Sequence, residues 1–355
     1  MKYNYAVIGA GKTGTAVVCD LLKYGSAKNI LVLDCYSAAL NHFVDHLRKT
    51  DAPGQNRVVV SRRQFSEAQL EFSDIVISCA PYSENDNITR ICNETNTPMC
   101  DLGGSPDMVA LQKQLSKNCS NTICADCGIS PGISNMLAVD LIKRGHHNIK
   151  IRCGGIPIEK PLHNLLGYQL LFNVDGLISE YSGWVPTLED GKLVLIPALS
   201  QVELIDEYHE ASPTSNNSPE TVEYFKSLGV KNYNYMTIRY NDHWKIVKQM
   251  GLDELKEMVL RDPAFQIQDP DKLILNVKGQ TSDVSMSYEM LVKYDERNNI
   301  SAMANTTAWG ITIPAKIILD HKLTQQGFGP PEKLLTQHLD LVIYELRRRT
   351  EVTVV

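Results

Sequence analysis

The 355-residue sequence has no charge-free stretch of transmembrane length, no run of basic residues, no internal repeat and no low-complexity tract. The first absence excludes a helical membrane span. The second, with a formal net charge of −6, argues against nucleic acid or an anionic membrane as partner. The N-terminus leads straight into an apolar strand with no signal-peptide pattern, so a cytoplasmic protein is expected. Cysteine is not scarce. Its nine residues are odd in number, all lie between Cys19 and Cys153, and fit reduced thiols better than a disulfide framework. The length suits about two domains with their own cores.

What is present is organised around the first 34 residues. Tyr3–Ile8 reads as a short apolar strand, Gly9-Ala10-Gly11-Lys12-Thr13-Gly14 follows at once, Thr15–Tyr24 has a helical pattern, and Asn29–Leu33 is a second strand ending in Asp34. Each glycine meets a separate need of a dinucleotide-binding βαβ unit. Gly9 turns the chain off the strand, Gly11 admits a pyrophosphate close to the backbone, and Gly14 packs the helix on the sheet. The helix N-terminus offers N–H groups to the anion. A carboxylate at Asp34 can take both hydroxyls of an adenosine ribose and would repel a 2′-phosphate, so NAD is expected ahead of NADP.

Ser37 can cap a helix to about Lys49, Asn56–Val60 is a third strand, and Ser73–Ala80 a fourth, apolar enough to be covered on both faces. Alternating strands and helices continue through Pro98–Leu102 and Thr122–Asp126. The pattern predicts a doubly wound parallel sheet whose ligands bind at the carboxyl ends of the strands. The exit loops carrying Cys35, Ala80, Pro81, Tyr82, Leu102, Gly103 and Gly128 then join Gly9, Gly11, Lys12, Thr13, Gly14 and Asp34 as the cofactor-side residues. Cys124-Ala-Asp-Cys127 has the spacing of a metal or redox motif. It lacks a second pair and a neighbouring His cluster, and reads as strand-end thiols, with no metal expected.

Beyond a helix ending near Arg144 the pattern changes. Asn148–Arg152, Tyr168–Val174, Gly183–Pro197 with its Glu-Asp-Gly turn, Leu273–Lys278 and Val284–Tyr294 read as longer strands with fewer helices between them. This predicts an inserted α+β domain carrying a mixed or antiparallel sheet. Ala211–Pro219 reads as a loop, solvent-exposed on composition alone. Thr306–Leu323 and Glu332–Arg348 read as helices returning to the nucleotide domain. The expected fold class is α/β: residues 1–128 and 305–355 in a Rossmann-type domain and 129–304 in the inserted one.

Several stretches together resemble the saccharopine dehydrogenase-like family, and within it the lysine 6-dehydrogenases. They are Asp101-Leu-Gly-Gly, Asp126-Cys-Gly-Ile-Ser-Pro-Gly-Ile-Ser-Asn135, Cys153-Gly-Gly-Ile-Pro157, the run Gly167–Tyr181, Thr237-Ile-Arg-Tyr240 and Ser301–Thr307. The resemblance implies NAD(P)-dependent chemistry at the C–N bond of a lysine-derived amine, a small amino-acid substrate, and a homodimer formed through the inserted sheet. Three stretches depart from the family pattern: Ser130 stands for an aspartate of the saccharopine-forming reductases, Asn216-Asn217 for a Gly-Gly pair, and Asn305 for an arginine.

On this reading Tyr82, Ser130 and Cys153 face the nicotinamide and Glu180 is the candidate base. Cys153 reads equally as a buried thiol, and Glu180 as a helix-surface acid. Arg239 offers a bidentate fork to a substrate carboxylate, and Thr214 and Ser215 offer hydroxyls and backbone donors. His243 contacts the amine or caps a helix starting near Asn241, and Arg239 reads equally as a structural salt-bridge partner. The enzyme reading is oxidative deamination of the lysine side-chain amine. Its alternatives are a reductase forming a saccharopine- or carboxyspermidine-type secondary amine, and a dinucleotide-binding protein without turnover.

Overall fold

A computed structural model describes residues 2–67, 70, 73–161, 163–171, 174–265, 267 and 269–355. The protein forms two compact units, one of Met1–Met136, Asp295–Ile300 and Ala304–Arg348, the other of Leu137–Tyr294, Ser301–Met303 and Arg349–Val355. Among the described residues no helix is long and apolar enough to cross a membrane.

The first unit opens with β1 (Tyr3–Ile8), α1 (Lys12–Tyr24), β2 (Ala27–Asp34), α2 (Ser37–Lys49), β3 (Val58–Arg62), β4 (Ile75–Ser78), α3 (Asn85–Glu94), β5 (Met99–Asp101), α4 (Pro106–Leu115), β6 (Ile123–Cys124) and the start of α5 (Ile133–Lys143). Its strands are all parallel, in the order β3-β2-β1-β4-β5-β6 with Phe328–Gly329 added beyond β6. The order reverses between β1 and β4, the place where such sheets hold ligands. Every residue of β4 is buried, as a strand covered on both faces requires. Ala6, Ile8, Leu33, Val76, Ile88, Met99 and Ile123 form one core cluster.

Several boundaries move, two of them at β3 and α2. The third strand starts at Val58 instead of Asn56, because Gln55–Arg57 forms a short 3-10 turn whose arginine donates to the carbonyls of Gly54, Pro53, Leu22 and Ala27. The helix after Asp34 has Tyr36 at its cap position, receives no capping bond from a side group, and already includes Ser37.

The second unit contains β7 (Asn148–Pro157), α6 (Val174–Glu180), β8 (Trp184–Glu189), β9 (Lys192–Pro197), β10 (Glu203–Leu204), β11 (His209–Ser212), α7 (Pro219–Ser227), β12 (Asn232–Tyr240), α8 (His243–Met250), α9 (Leu252–Arg261), β13 (Asp271–Gln280) and β14 (Ser285–Lys293). The sequence ends through α10 (Ala302–Asp320), β15 (Phe328–Gly329), α11 (Pro331–Leu334), α12 (Leu339–Arg347) and β16 (Thr353–Val354). The second sheet runs β10-β11-β12-β7-β13-β14-β16, with the β8–β9 hairpin paired to β12. The β7–β12 pair is parallel and the others are antiparallel, so the sheet is mixed. Asp190 and Gly191, both at positive φ, make the tight turn of the β8–β9 hairpin.

Tyr168–Val174 is not a strand. Asn164 exchanges hydrogen bonds with the Tyr168 backbone, at 2.8 and 3.2 Å, and occupies groups a ladder would need; residues 172 and 173 lie outside the described ones. Ala211–Pro219 is not an exposed loop either: it begins inside β11, and Pro213, Thr214 and Asn217 are buried. The unit's core gathers Leu177, Tyr181, Trp244, Val247, Leu255, Val259 and Phe265. Asp271, at the start of β13, receives the Ala302 and Met303 amides at 2.7 and 3.0 Å and so caps α10 from a distant part of the sequence. From Ala304 that helix belongs to the first unit, where Thr312 donates to Asp20 at 2.6 Å and Tyr3 to Asp320 at 2.9 Å.

Candidate functional site

The first group of candidate residues is the loop between β1 and α1. Gly9 has φ +101°, and a Cβ there would meet the Cys79 carbonyl oxygen at 2.7 Å. A Cβ on Gly14 would lie 2.0 Å from the Gly9 carbonyl oxygen, so the helix sits against the turn only because both residues are glycine. Gly11 is different: among the described residues nothing beyond Gly11 and its chain neighbours comes within 4 Å of the position its Cβ would take. It is the N-cap of α1, it supplies no capping group, and the first turn has no acidic residue. The first backbone bond of the helix is from Thr15 to Gly11, so the amides of Lys12, Thr13 and Gly14 precede the ladder. Open space in front of an uncapped positive helix end fits a pyrophosphate.

Asp34 ties this loop to the neighbouring strand, its two oxygens accepting from Ala10 N at 2.9 Å and Tyr36 N at 2.8 Å. Arg62 is its register partner on β3 and donates to the Cys35 carbonyl at 3.4 Å, which puts a guanidinium beside the exposed Cys35 turn. Ala80 and Pro81 follow β4 directly. Gly103 donates to Asp101 at 2.7 Å and Gly128 to the Pro131 carbonyl at 3.0 Å, and Leu102 precedes Gly103 in the β5 exit. Tyr82 lies in a one-turn helix, 39% exposed, with its ring against Gly104. Ser130 shares a hydrogen bond with Ser134 at 2.8 Å. Burial pushes the carboxyl groups of Asp101 and Asp126, at the exits of β5 and β6, up to about 6 and about 8.

The second group lies wholly in the second unit, where Glu180, Thr214, Ser215, Arg239 and His243 come together. Glu180 ends α6 and is buried. Its Oε1 accepts from the Thr237 hydroxyl at 2.6 Å, while Oε2 faces Arg239 Nη2 at 3.7 Å, an ion-pair distance too long for a hydrogen bond. Among the described residues nothing donates to Oε2. The Thr214 hydroxyl lies 2.7 Å from Thr237 and 2.7 Å from Asn216 Oδ1, and the Ser215 amide donates to the Glu180 carbonyl at 2.8 Å.

Arg239 is 3% exposed, and two of its donors are already used: Nε donates to the Tyr181 hydroxyl at 2.8 Å and Nη1 to the Ile238 carbonyl at 2.9 Å. Its guanidinium stacks over the Tyr168 ring, 4.7 Å from the centroid. Burial opposes its charge, but Tyr181, Tyr168 and Glu180 outweigh that and hold it protonated. His243 lies 3.0 Å from the Tyr181 hydroxyl through Nε2 and 3.0 Å from the Leu166 carbonyl through Nδ1. The carbonyl can only accept, so Nδ1 carries the proton and Nε2 accepts from Tyr181. Burial, then Arg239, lowers the His243 pKa to about 3, which keeps the ring neutral. Cys153 is the ladder partner of Thr237, and burial pushes its thiol up to about 12.

Tyr181, Tyr168 and Thr237 are members of this network that the sequence pattern does not single out. Thr237 could have been found from Arg239: two residues apart on one strand, they share a face. Reading Thr214 as part of a loop could not have predicted its burial, which follows from pairing of β11 with β12.

Parallel strands in the order 3-2-1-4-5-6, the open glycine loop and the residues around it define a dinucleotide-binding protein. A family model described as the saccharopine dehydrogenase NADP binding domain matches residues 5–122, and one described as the saccharopine dehydrogenase C-terminal domain matches residues 128–351. The protein belongs to the saccharopine dehydrogenase family, and its cofactor is NAD or NADP.

Over 359 aligned residues it is 21% identical to the mitochondrial alpha-aminoadipic semialdehyde synthase of Rattus norvegicus, covering 94% of this protein and 38% of that one. It is 27% identical over 131 residues to saccharopine dehydrogenase (NADP(+), L-glutamate-forming) of Saccharomyces cerevisiae, 35% of this protein and 29% of that one. The matched region is thus well under half the length of these curated relatives. The structure of apo saccharopine dehydrogenase (L-Glu forming) from Saccharomyces cerevisiae superposes with a TM-score of 0.73, covering 99% of this protein and all of that one; at 15% identity the likeness is one of fold.

Proposed function

We propose that the protein oxidises the terminal C–N bond of the side chain of L-lysine or a related amino acid. The observation that carries this reading is Glu180: a buried carboxylate with one oxygen fixed by a hydroxyl and the other facing a guanidinium without accepting a hydrogen bond from any described residue. A bound nicotinamide would supply the acceptor for a hydride from the amine-bearing carbon. The protein's residues must then present the amine unprotonated, because an ammonium group has no lone pair to drive hydride loss. Free lysine holds its proton with a pKa of ~10.4. Glu180 Oε2 is placed to accept that proton, and the fixed charge of Arg239 disfavours a second cation beside it. Hydride loss leaves an imine, which water converts to the aldehyde and ammonia.

The test follows reduced-cofactor absorbance with lysine, ornithine and saccharopine, in the wild type and in Glu180→Gln. Turnover should fall by roughly 10²–10⁴-fold in the variant while cofactor affinity is kept. Absence of turnover by the wild type with every one of these amines, in either direction, overturns the proposal.

A second reading, formation or cleavage of a secondary amine of the saccharopine type, is favoured by the activities that the names of the curated relatives state. Reduced-cofactor oxidation with the semialdehyde plus glutamate, but not with the semialdehyde plus ammonia, would select it. For the cofactor, Asp34 favours NAD, while Arg62 beside it is the cation that would admit a 2′-phosphate. Arg62→Ala should weaken NADP binding roughly tenfold and leave NAD binding unchanged.

We also infer a homodimer through the second sheet, whose hairpin and edge expose Trp184 at 62%, Leu204 at 73% and Tyr208 at 61%. Sedimentation equilibrium of Leu204→Glu should show the monomer, and a monomeric wild type would remove the inference.

A further inference from the structure

Three cysteines from different parts of the sequence converge inside the first unit. Cys100 is in β5 and Cys124 in β6, and the two are register partners in the parallel ladder. Met99 and Ile123, the residues before them, belong to the apolar cluster on one face of the sheet. Strand alternation therefore puts both thiols on the opposite face, side by side. Cys127 joins them through an unusual piece of backbone: Asp126 has φ +61°, a conformation that non-glycine residues seldom adopt. The resulting turn brings Cys127 Sγ to 3.3 Å from Cys124 Sγ and 3.3 Å from the Cys124 carbonyl. The three sulfur atoms all lie within 4.8 Å of one another, and each residue is completely buried.

The ordinary fate of a buried cysteine is to serve as a small apolar side group. Cys92 does so, packed with Ile88, Met99 and Phe65. The triad is built differently, with its sulfurs turned on one another and its neighbours Asp101 and Asp126 carboxylic. A tetrahedral ion with metal–sulfur bonds of about 2.3 Å needs sulfurs about 3.8 Å apart, which falls inside the observed spread. Thiolate ligands select soft ions. Charge selects among them: three thiolates carry −3, so a divalent ion leaves one negative charge in the interior and a monovalent ion leaves two.

We infer that Cys100, Cys124 and Cys127 form a binding site for one divalent d10 metal ion of the zinc class. Binding forms three metal–sulfur bonds, releases the thiol protons to solvent, changes no oxidation state, and leaves the fourth corner of the tetrahedron to a water molecule. The site is separate from the Glu180 network, which belongs to the other unit, and does not depend on the proposed activity. The CxxC spacing alone was incomplete. Cys100, 24 positions upstream of Cys124, supplies the third donor through strand pairing.

The experiment uses the full-length protein, reduced and treated with chelator, then titrated anaerobically with Zn(II) and, as an optical probe, with Cd(II). One equivalent should bind, and Cd(II) should give thiolate-to-metal charge-transfer absorption saturating at one per protein molecule. Cys100→Ser should weaken binding at least tenfold, whereas Cys119→Ser, outside the triad, should bind like the wild type. Circular dichroism establishes that each variant is folded. A measurement on the wild type alone removes dependence on variants: pulse alkylation in denaturant at the unfolding midpoint of the metal-free protein, followed by peptide mass spectrometry, should find Cys100, Cys124 and Cys127 protected by Zn(II) more strongly than the other six cysteines. No uptake by the wild type, uptake unchanged in a folded Cys100→Ser, or a Cys124–Cys127 disulfide that forms in place of metal binding would each overturn the proposal.

Discussion

At the scale of single residues, two glycines three positions apart should behave in opposite ways. Gly14→Ala forces a methyl group onto the Gly9 carbonyl and should cost about 1–3 kcal/mol or more of stability, measured by denaturant unfolding. Gly11→Ala meets no atom of the described residues beyond its chain neighbours, so stability should hold while calorimetry shows weaker cofactor binding. His243 gives a pH prediction. Its pKa falls from the ordinary 6.5 to about 3 on folding, so the unfolded state takes up a proton first as pH drops. The stability it contributes is present above about pH 6.5 and is lost towards pH 3, at about 1.4 kcal/mol per pH unit. His243→Phe should flatten the acid limb of a stability–pH curve over that window. Arg239→Met leaves the buried Glu180 without its cation and should cost roughly 3–5 kcal/mol. The glycine loop and Asp34 were legible in the sequence because their spacing is fixed by local geometry. Arg239 and His243 were named from the sequence, but their joining through Tyr168 and Tyr181 was not legible, because it is assembled by contacts across 75 positions of sequence that no local pattern records.

At the scale of elements, the nucleotide half was legible strand by strand, since buried parallel strands are continuous apolar runs. The second sheet was harder. β12 neighbours β7 and β11, yet its first half, Asn232-Tyr-Asn-Tyr, mixes amides and aromatics in a way that does not mark a central strand. The Asp190-Gly191 turn announced the β8–β9 hairpin because two positive φ values demand those residue types. The helix ending in Arg348 came out as two pieces, Pro331–Leu334 and Leu339–Arg347. Asp271 is the device that starts α10, and it lies 31 positions before the first amide it caps. Asp271→Ala should remove about 0.5–2 kcal/mol, and hydrogen exchange should show the loss first at the Ala302 end of that helix.

For the whole molecule, the backbone returns to its first unit after building the second, so ligand effects should follow that division rather than sequence order. Saturating NAD or NADP at a hundred times its dissociation constant stabilises the bound form by about 2.7 kcal/mol. Hydrogen exchange should place the added protection in Met1–Met136 and Ala304–Arg348, though these segments stand far apart in sequence. Protection spread evenly over both units would mean that the division drawn from the fold does not govern how the protein opens.

The bridge from Asp34 to the amides of Ala10 and Tyr36 has one more consequence. The phosphate cradle is fastened by the protein's own carboxylate, so its shape does not wait for a ligand to impose it. Capture of the dinucleotide then resembles docking onto a finished surface, and little conformational entropy is spent on the way in. In a calorimeter such capture shows a small heat-capacity change, set by the area covered and not by any coupled folding of the loop.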